Sequence, residues 1–206
     1  MPTNHLRETR ILNYTHPALQ RVLHERISRT HTQRQTLKVL YAFVSALPLG
    51  YNKNDDIPAS EVLRDGYAQC NTKTSLLCAL ARGAGIPTRV HAYRLHKRVQ
   101  RARAPAWLVF FMPQTTMFVW PEFFIGKKWV PLQGIVKTKL CPWDSCPFDG
   151  AKHQTQPLQP SWIARDLGRW NTPDELYKKH KPTVYGWRTI GWFALGRSVM
   201  NKRVRQ

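Results

Sequence analysis

Four cysteines are the residues in this chain with the most obvious chemistry, and only one sits where a thiol is activated. Cys70 precedes a run, Asn71 to Ala81, whose Leu76, Leu77 and Leu80 recur at helical spacing. A thiol attacks as its thiolate, and the N–H groups and positive dipole end at a helix N-terminus favour that anion. Cys78, two turns further along, reads as inert core. Cys141 and Cys146, in the segment CPWDSC, form with His153 a weak zinc pattern, since one cysteine pair at this spacing falls short of a four-ligand site. No metal and no cofactor is expected. A thiol nucleophile also needs a base, and His91 and His96 are the nearest histidines in sequence. His91 lies on an alternating segment, TRVHAYRL, and is the low-probability substitute base; His96 sits in a basic run and reads as solvated.

The second chemical feature is charge. Lys and Arg number 32 against 12 Asp and Glu, a formal net charge of +20. Arg94, Lys97, Arg98, Arg101 and Arg103 form one run before the apolar stretch APAWLVFFMP. A second run spans Lys178, Lys179, Lys181, Arg188, Arg197, Lys202, Arg203 and Arg205. Such runs attract polyanions, either nucleic acid or an anionic membrane surface, in a salt-dependent manner. No recognised nucleic-acid module accompanies them, which excludes sequence-specific reading as the expectation.

The elements that position these residues follow from periodicity and punctuation. His16 to Ile27 and Gln33 to Leu47 read as amphipathic helices, the second stopped by Pro48 and Gly50. Tyr51 to Ser60 is a polar loop, with Ser60 placed to cap the following turn. The helix after Cys70 ends at Gly83, Gly85 and Pro87. Thr88 to Leu95 reads as a strand, and Thr116 to Ile125 with Lys128 to Leu132 as a hairpin turning at Gly126-Lys127. Residues 134 to 160, rich in Pro and Gln, read as loop. A short helix opened by Thr172, Pro173 and Asp174 and a basic helix from Trp187 to about Val204 complete the chain. With 206 residues this is the content of a single α+β domain with one core, large enough to fold without disulfides. The first sixteen residues have no apolar stretch of the secretory type and no run reaches the roughly 20 residues of a bilayer span, so the expected location is cytoplasmic.

The run EVLRDGYAQCNTKTSLLCALARGAGIPTRVHAY resembles the centre of the transglutaminase-like superfamily, whose fold is related to papain-like cysteine proteases. There a turn ending in cysteine opens a helix, and Arg-x-x-Gly-Ile-Pro-x-Arg leads into a strand; here these are Gly66 through Cys70, then Arg82, Gly85, Ile86, Pro87 and Arg89. The hairpin FVWPEFFIGKKWVPLQ is similar to the second block of the family, His-x-Trp-x-Glu followed by Gly-x-Trp-x-x-x-Asp, with Trp120, Glu122, Gly126 and Trp129 matching. The tail looks like a small stand-alone bacterial branch. The resemblance covers roughly residues 35 to 135, with residues 136 to 206 as a loop-rich extension.

The resemblance implies a cysteine acyltransferase or amide hydrolase acting on a peptide or amine-bearing side chain, with Gln69 and Trp120 in the cleft. It places Cys70 at the nucleophile position, Phe118 at the histidine position and Gln133 at the aspartate position. Phenylalanine neither takes a thiol proton nor returns one to a leaving amine. The expectation is therefore a weak acyl-transfer enzyme or a degenerate peptide-binding relative. The alternative is a non-catalytic basic protein that binds nucleic acid or anionic membrane.

Overall fold

The computed structural model describes residues 3–102, 110, 113–132, 135 and 160–180. Four helices come first: α1 (Pro17–Arg26), α2 (Gln33–Ala46), α3 (Ala59–Asp65) and α4 (Cys70–Gly83). Three strands follow, β1 (Thr88–His96), β2 (Thr115–Ile125) and β3 (Lys128–Pro131), then β4 (Ile163–Trp170) and α5 (Pro173–Lys179). The strands form one antiparallel sheet in the order β3-β2-β1-β4. This is the expected α+β class, with a cysteine-bearing central helix on a small antiparallel sheet.

Local chemistry explains most boundaries. Thr32 and Gln35 cap α2 reciprocally: the Gln35 N–H donates to Thr32 Oγ1 at 3.3 Å and the Thr32 N–H to Gln35 Oε1 at 2.9 Å. Thr172 caps α5 through the Glu175 N–H at 3.1 Å. The β2–β3 turn has Gly126 at φ 56° and Lys127 at φ 65°, the left-handed pair that matches strand twist in a two-residue hairpin. Ser60, expected as a cap, instead lies inside α3, whose N-cap is Pro58. Its N–H is received from a distance, by Asn13 Oδ1 at 3.2 Å.

From Asn71 to Arg82 every residue of α4 is buried, so this helix is the axis of the core. Leu76, Leu77 and Leu80 meet Leu19 and Leu23 of α1, Leu37, Leu40, Tyr41 and Val44 of α2, and Val90, Ala92, Met117, Val119 and Phe123 of the sheet. Because side chains alternate along a strand, Arg89, His91 and Tyr93 with Phe118, Trp120 and Glu122 fall on the other face. Arg82, also buried, donates to Thr88 Oγ1 and the Thr88 carbonyl, each at 2.8 Å, and to the Arg7 and Asn171 carbonyls, each at 2.5 Å. It thereby ties the chain ahead of α1 and the β4–α5 junction to the end of α4.

Strand β4 has no counterpart in the sequence reading. The basic helix expected from Trp187, the CPWDSC segment with His153, and the loop at 136–159 all lie outside the described residues. Among the described residues no helix is long and apolar enough to cross a membrane, and no cluster of three metal-ligating side chains occurs.

Candidate functional site

Cys70 is the first residue of α4 and is half-buried against the core. The helix start is locked onto the free edge of β2. Strand β3 pairs with Glu122–Ile125, so among the described residues the backbone around residue 118 has no strand neighbour on that side. Asn71 fills the gap: its Nδ2 donates to the Met117 carbonyl at 3.1 Å and its Oδ1 accepts from the Val119 N–H at 3.0 Å. Thr74 Oγ1 adds a bond to the Val119 carbonyl at 3.0 Å. The residue next to Cys70 therefore brackets the backbone of Phe118, and the position where the family signature has histidine lies at the helix start that carries the thiol.

The bonds to Met117 and Val119 also fix which way the Asn71 amide points, since one partner only accepts and the other only donates. Its oxygen consequently faces the thiol, and Cys70 Sγ–H donates to Asn71 Oδ1 at 3.6 Å. The loop before α3, expected as a polar connection, completes this polar cluster. Asp55 accepts from Asn71 Nδ2 at 2.9 Å through Oδ2 and from Gln69 Nε2 through Oδ1. Asn52, fully buried, accepts from Thr72 Oγ1 at 2.6 Å and donates to Asp65 Oδ2 and the Tyr67 carbonyl. Burial pushes the Asp55 carboxyl above its ordinary range, against the hydrogen bonds from Asn71 and Gln69. Tyr177, from α5, brings a buried phenol whose Oη has no hydrogen-bond partner among the described residues, and Gln69 Oε1 is in the same condition. Burial drives the Tyr177 phenol well up, and the charges of Asp55 and Cys70 act on it in the same direction. Nothing in the motif pointed to Asp55, Asn52 or Tyr177; the density of Asn and Asp at 52–56 was the one available signal.

His91 is not part of this cluster. It stands on the opposite face of the sheet, across from Trp120, with its Nε2–H directed to Asp166 Oδ1 at 2.9 Å. Nδ1 lies 3.3 Å from Tyr93 Oη and 3.6 Å from Glu122 Oε1. With both ring nitrogens engaged there, His91 makes no hydrogen bond to Cys70. Glu122 also takes Arg89 Nε at 2.5 Å and Arg169 Nε at 3.0 Å. Burial alone would raise this carboxyl, but His91, the bonds and charge of Arg89, and Arg169 outweigh it and hold it at about 2. Trp120, expected in the cleft with Gln69, packs among His91, Tyr93 and Phe118, with ring centroids 5.7, 4.6 and 5.7 Å away. Gln69 is bonded to Asp55 near the start of α4, whereas Trp120 belongs to the aromatic group on the sheet face away from the core. The two share no contact partner among the described residues and are not brought together as one cleft.

Cys78 is inert as expected, its thiol pushed up to about 12 by burial. In the basic run, Arg94 lies in register with Met117 and Arg165. Lys97 Nζ donates to the Phe110 carbonyl at 3.2 Å and Arg98 to the Ser161 carbonyl. Arg101 belongs to the short 3-10 helix Lys97–Ala102, while Arg103 and Gln133 lie outside the described residues.

Comparison with known proteins agrees with this geometry. No curated protein matches the chain. Among solved structures, a candidate cysteine protease from Cytophaga hutchinsonii is similar, with a TM-score of 0.50 at 12% identity, covering 84% of this chain. The match spans 48% of that protein, so the chain is about half its length, and the likeness is one of fold. A family model for the transglutaminase-like superfamily matches residues 21–134, more than half the sequence and the whole stretch from α2 through β3. With its cysteine at the start of the central helix and its signature hairpin alongside, this chain belongs to the transglutaminase-like superfamily.

Proposed function

We propose that the chain is a transglutaminase-like protein that keeps the nucleophile position at Cys70 and has lost most acyl-transfer power with the histidine at 118. Family membership supports cysteine hydrolase or transferase chemistry at the coarse level. The observation that carries the finer reading is Asn71 bracketing Phe118 at the helix start. In the intact reaction the Cys70 sulfur would attack a carboxamide carbon, the C–N bond would break and ammonia would leave with the proton from the thiol. The thioester would then pass its acyl group to an amine or to water. Both proton movements need a carrier, worth about 10²–10⁴-fold, and a phenyl ring is none. What remains is a thiol beside a site for a peptide or an amine-bearing side chain, with residual acyl chemistry.

The test is thioester formation from glutamine-containing peptides, read by intact mass and reversed by hydroxylamine. Wild type should form it slowly, Cys70→Ala not at all, and Phe118→His at least about 100-fold faster than wild type. No adduct in either wild type or Phe118→His, with the peptides shown to bind no better than controls, would reject the reading.

A further inference from the structure

The carboxylate of Asp55 is shared between the two residues that flank Cys70. One oxygen holds Gln69 Nε2 and the other Asn71 Nδ2 at 2.9 Å. Both partners are neutral amides. Asn71 in turn presents its oxygen to the thiol, which suits S–H as a donor and opposes a sulfur anion. Among the described residues, the remaining ionisable groups around the loop do not neutralise Asp55. Asp56 next to it bears the same sign and is paired at 3.5 Å with Arg10. Asp65 of α3 takes Asn52. Lys73 of α4 directs its ammonium to the Ser45 and Leu47 carbonyls, at 3.0 and 2.6 Å. Tyr177 of α5 is a neutral phenol, and Met117, Phe118 and Val119 of β2 carry no charge.

We propose that Asp55 governs the protonation of Cys70: its hold on Gln69 and Asn71, joined by its charge once it ionises, keeps the resting sulfur a neutral thiol. Asp55 is a positioning residue, acting through the two amides and through space. The inference rests on Cys70 being the nucleophile position proposed above. It adds that the site is silenced twice, by the missing base at 118 and by a carboxyl set beside the sulfur. Unit charges separated by one bridging side chain, at an effective dielectric of about 20, interact strongly enough to change a protonation equilibrium by roughly tenfold or more.

The experiment is iodoacetamide alkylation of Cys70 in the full chain from pH 5 to 10, followed by peptide mass spectrometry with Cys78 as the internal control. Asp55→Asn should move the inflection at least one pH unit lower and speed labelling at pH 7 roughly tenfold, with the high-pH plateau unchanged. A plateau that rises while the inflection stays would mean the variant only exposes the sulfur, and overturns the proposal. So would an unchanged profile. Gln69→Ala removes a bond but keeps the charge, and should leave the inflection in place or raise it. A lower inflection in Gln69→Ala would overturn the proposal even if Asp55→Asn failed to fold. Thioester formation by wild type with no shift in Asp55→Asn would sink this inference alone. A shift without any thioester would sink the proposed function alone.

Discussion

On one face of the sheet Glu122 is surrounded by Arg89, Arg169 and His91, whereas near α4 Asp55 has only the carboxamides of Gln69 and Asn71. Both carboxyls sit in the protein interior, yet they are pushed in opposite directions, Glu122 down and Asp55 up. A carboxylate given cations is committed to holding strands together. One given only neutral amides is pushed toward its protonated form, and the charge it takes on when it does ionise acts on whatever titrates nearby. The difference separates a carboxyl of the family signature that ties strands together from one outside the signature that lies beside the start of α4.

The largest expected effect that sharpens the contrast is on stability. Glu122→Leu leaves Arg89 and Arg169 facing apolar surface and should cost about 2–3 kcal/mol in urea unfolding, partly discounted because Arg169 reaches solvent. Cys70→Ala should cost less than about 1 kcal/mol. Equal losses would show that the two regions are energetically alike and break the contrast.

Acid titration reads the same contrast by sign. A carboxyl lowered from 4.5 to about 2 on folding stabilises the native state above pH 4.5, and that contribution disappears as pH falls toward 2. Its full size is about 3 kcal/mol. Asp55, raised on folding, works the other way: its contribution is present below its unfolded value and lost as pH rises through the folded one. Stability measured from pH 6 to 2 should therefore flatten in Glu122→Gln and steepen in Asp55→Asn. The same slope in both variants would refute the opposed shifts.

The smallest effect concerns the phenol on the Asp55 side. Tyr177 Oη is buried and unpartnered, so Tyr177→Phe should be neutral or stabilising by up to about 1 kcal/mol. A loss of 2 kcal/mol or more in thermal unfolding would mean that the hydroxyl has a partner after all.

Periodicity made α1 and α2 legible, because each buries one face against a single core. The α4 helix and the hairpin, buried on more than one side, were legible from the leucine spacing of the helix and from the glycines that end or turn them. Strand β4 was not, for a physical reason. Its sequence, IARDLGRW, is mostly charged or small, Gly168 takes φ 79°, and its pairing with β1 is interrupted twice. A strand that wanders off register leaves no alternation to read. Cys70 was legible because a helix N-terminus can be placed from its flanks. The surroundings of Cys70 were not, since Asp55 and Tyr177 reach it from 15 and 107 residues away in sequence. The face occupied by His91 was likewise invisible, because phase along a strand becomes known only once a neighbour is fixed.

The ties made by Arg82 and by β4 have a consequence for how the chain is made. β1 ends at His96 and its second neighbour begins at Ile163, so 66 residues must leave the ribosome between the two. At about 5–20 residues per second that is roughly 3–13 s, long after helices α1 to α4 can collapse. During that interval one side of β1 is a bare edge and Arg82 still lacks its Asn171 carbonyl. The nascent chain is then most open to pairing with a second copy of itself, and chaperone demand should peak before residue 163 emerges rather than at the end of synthesis.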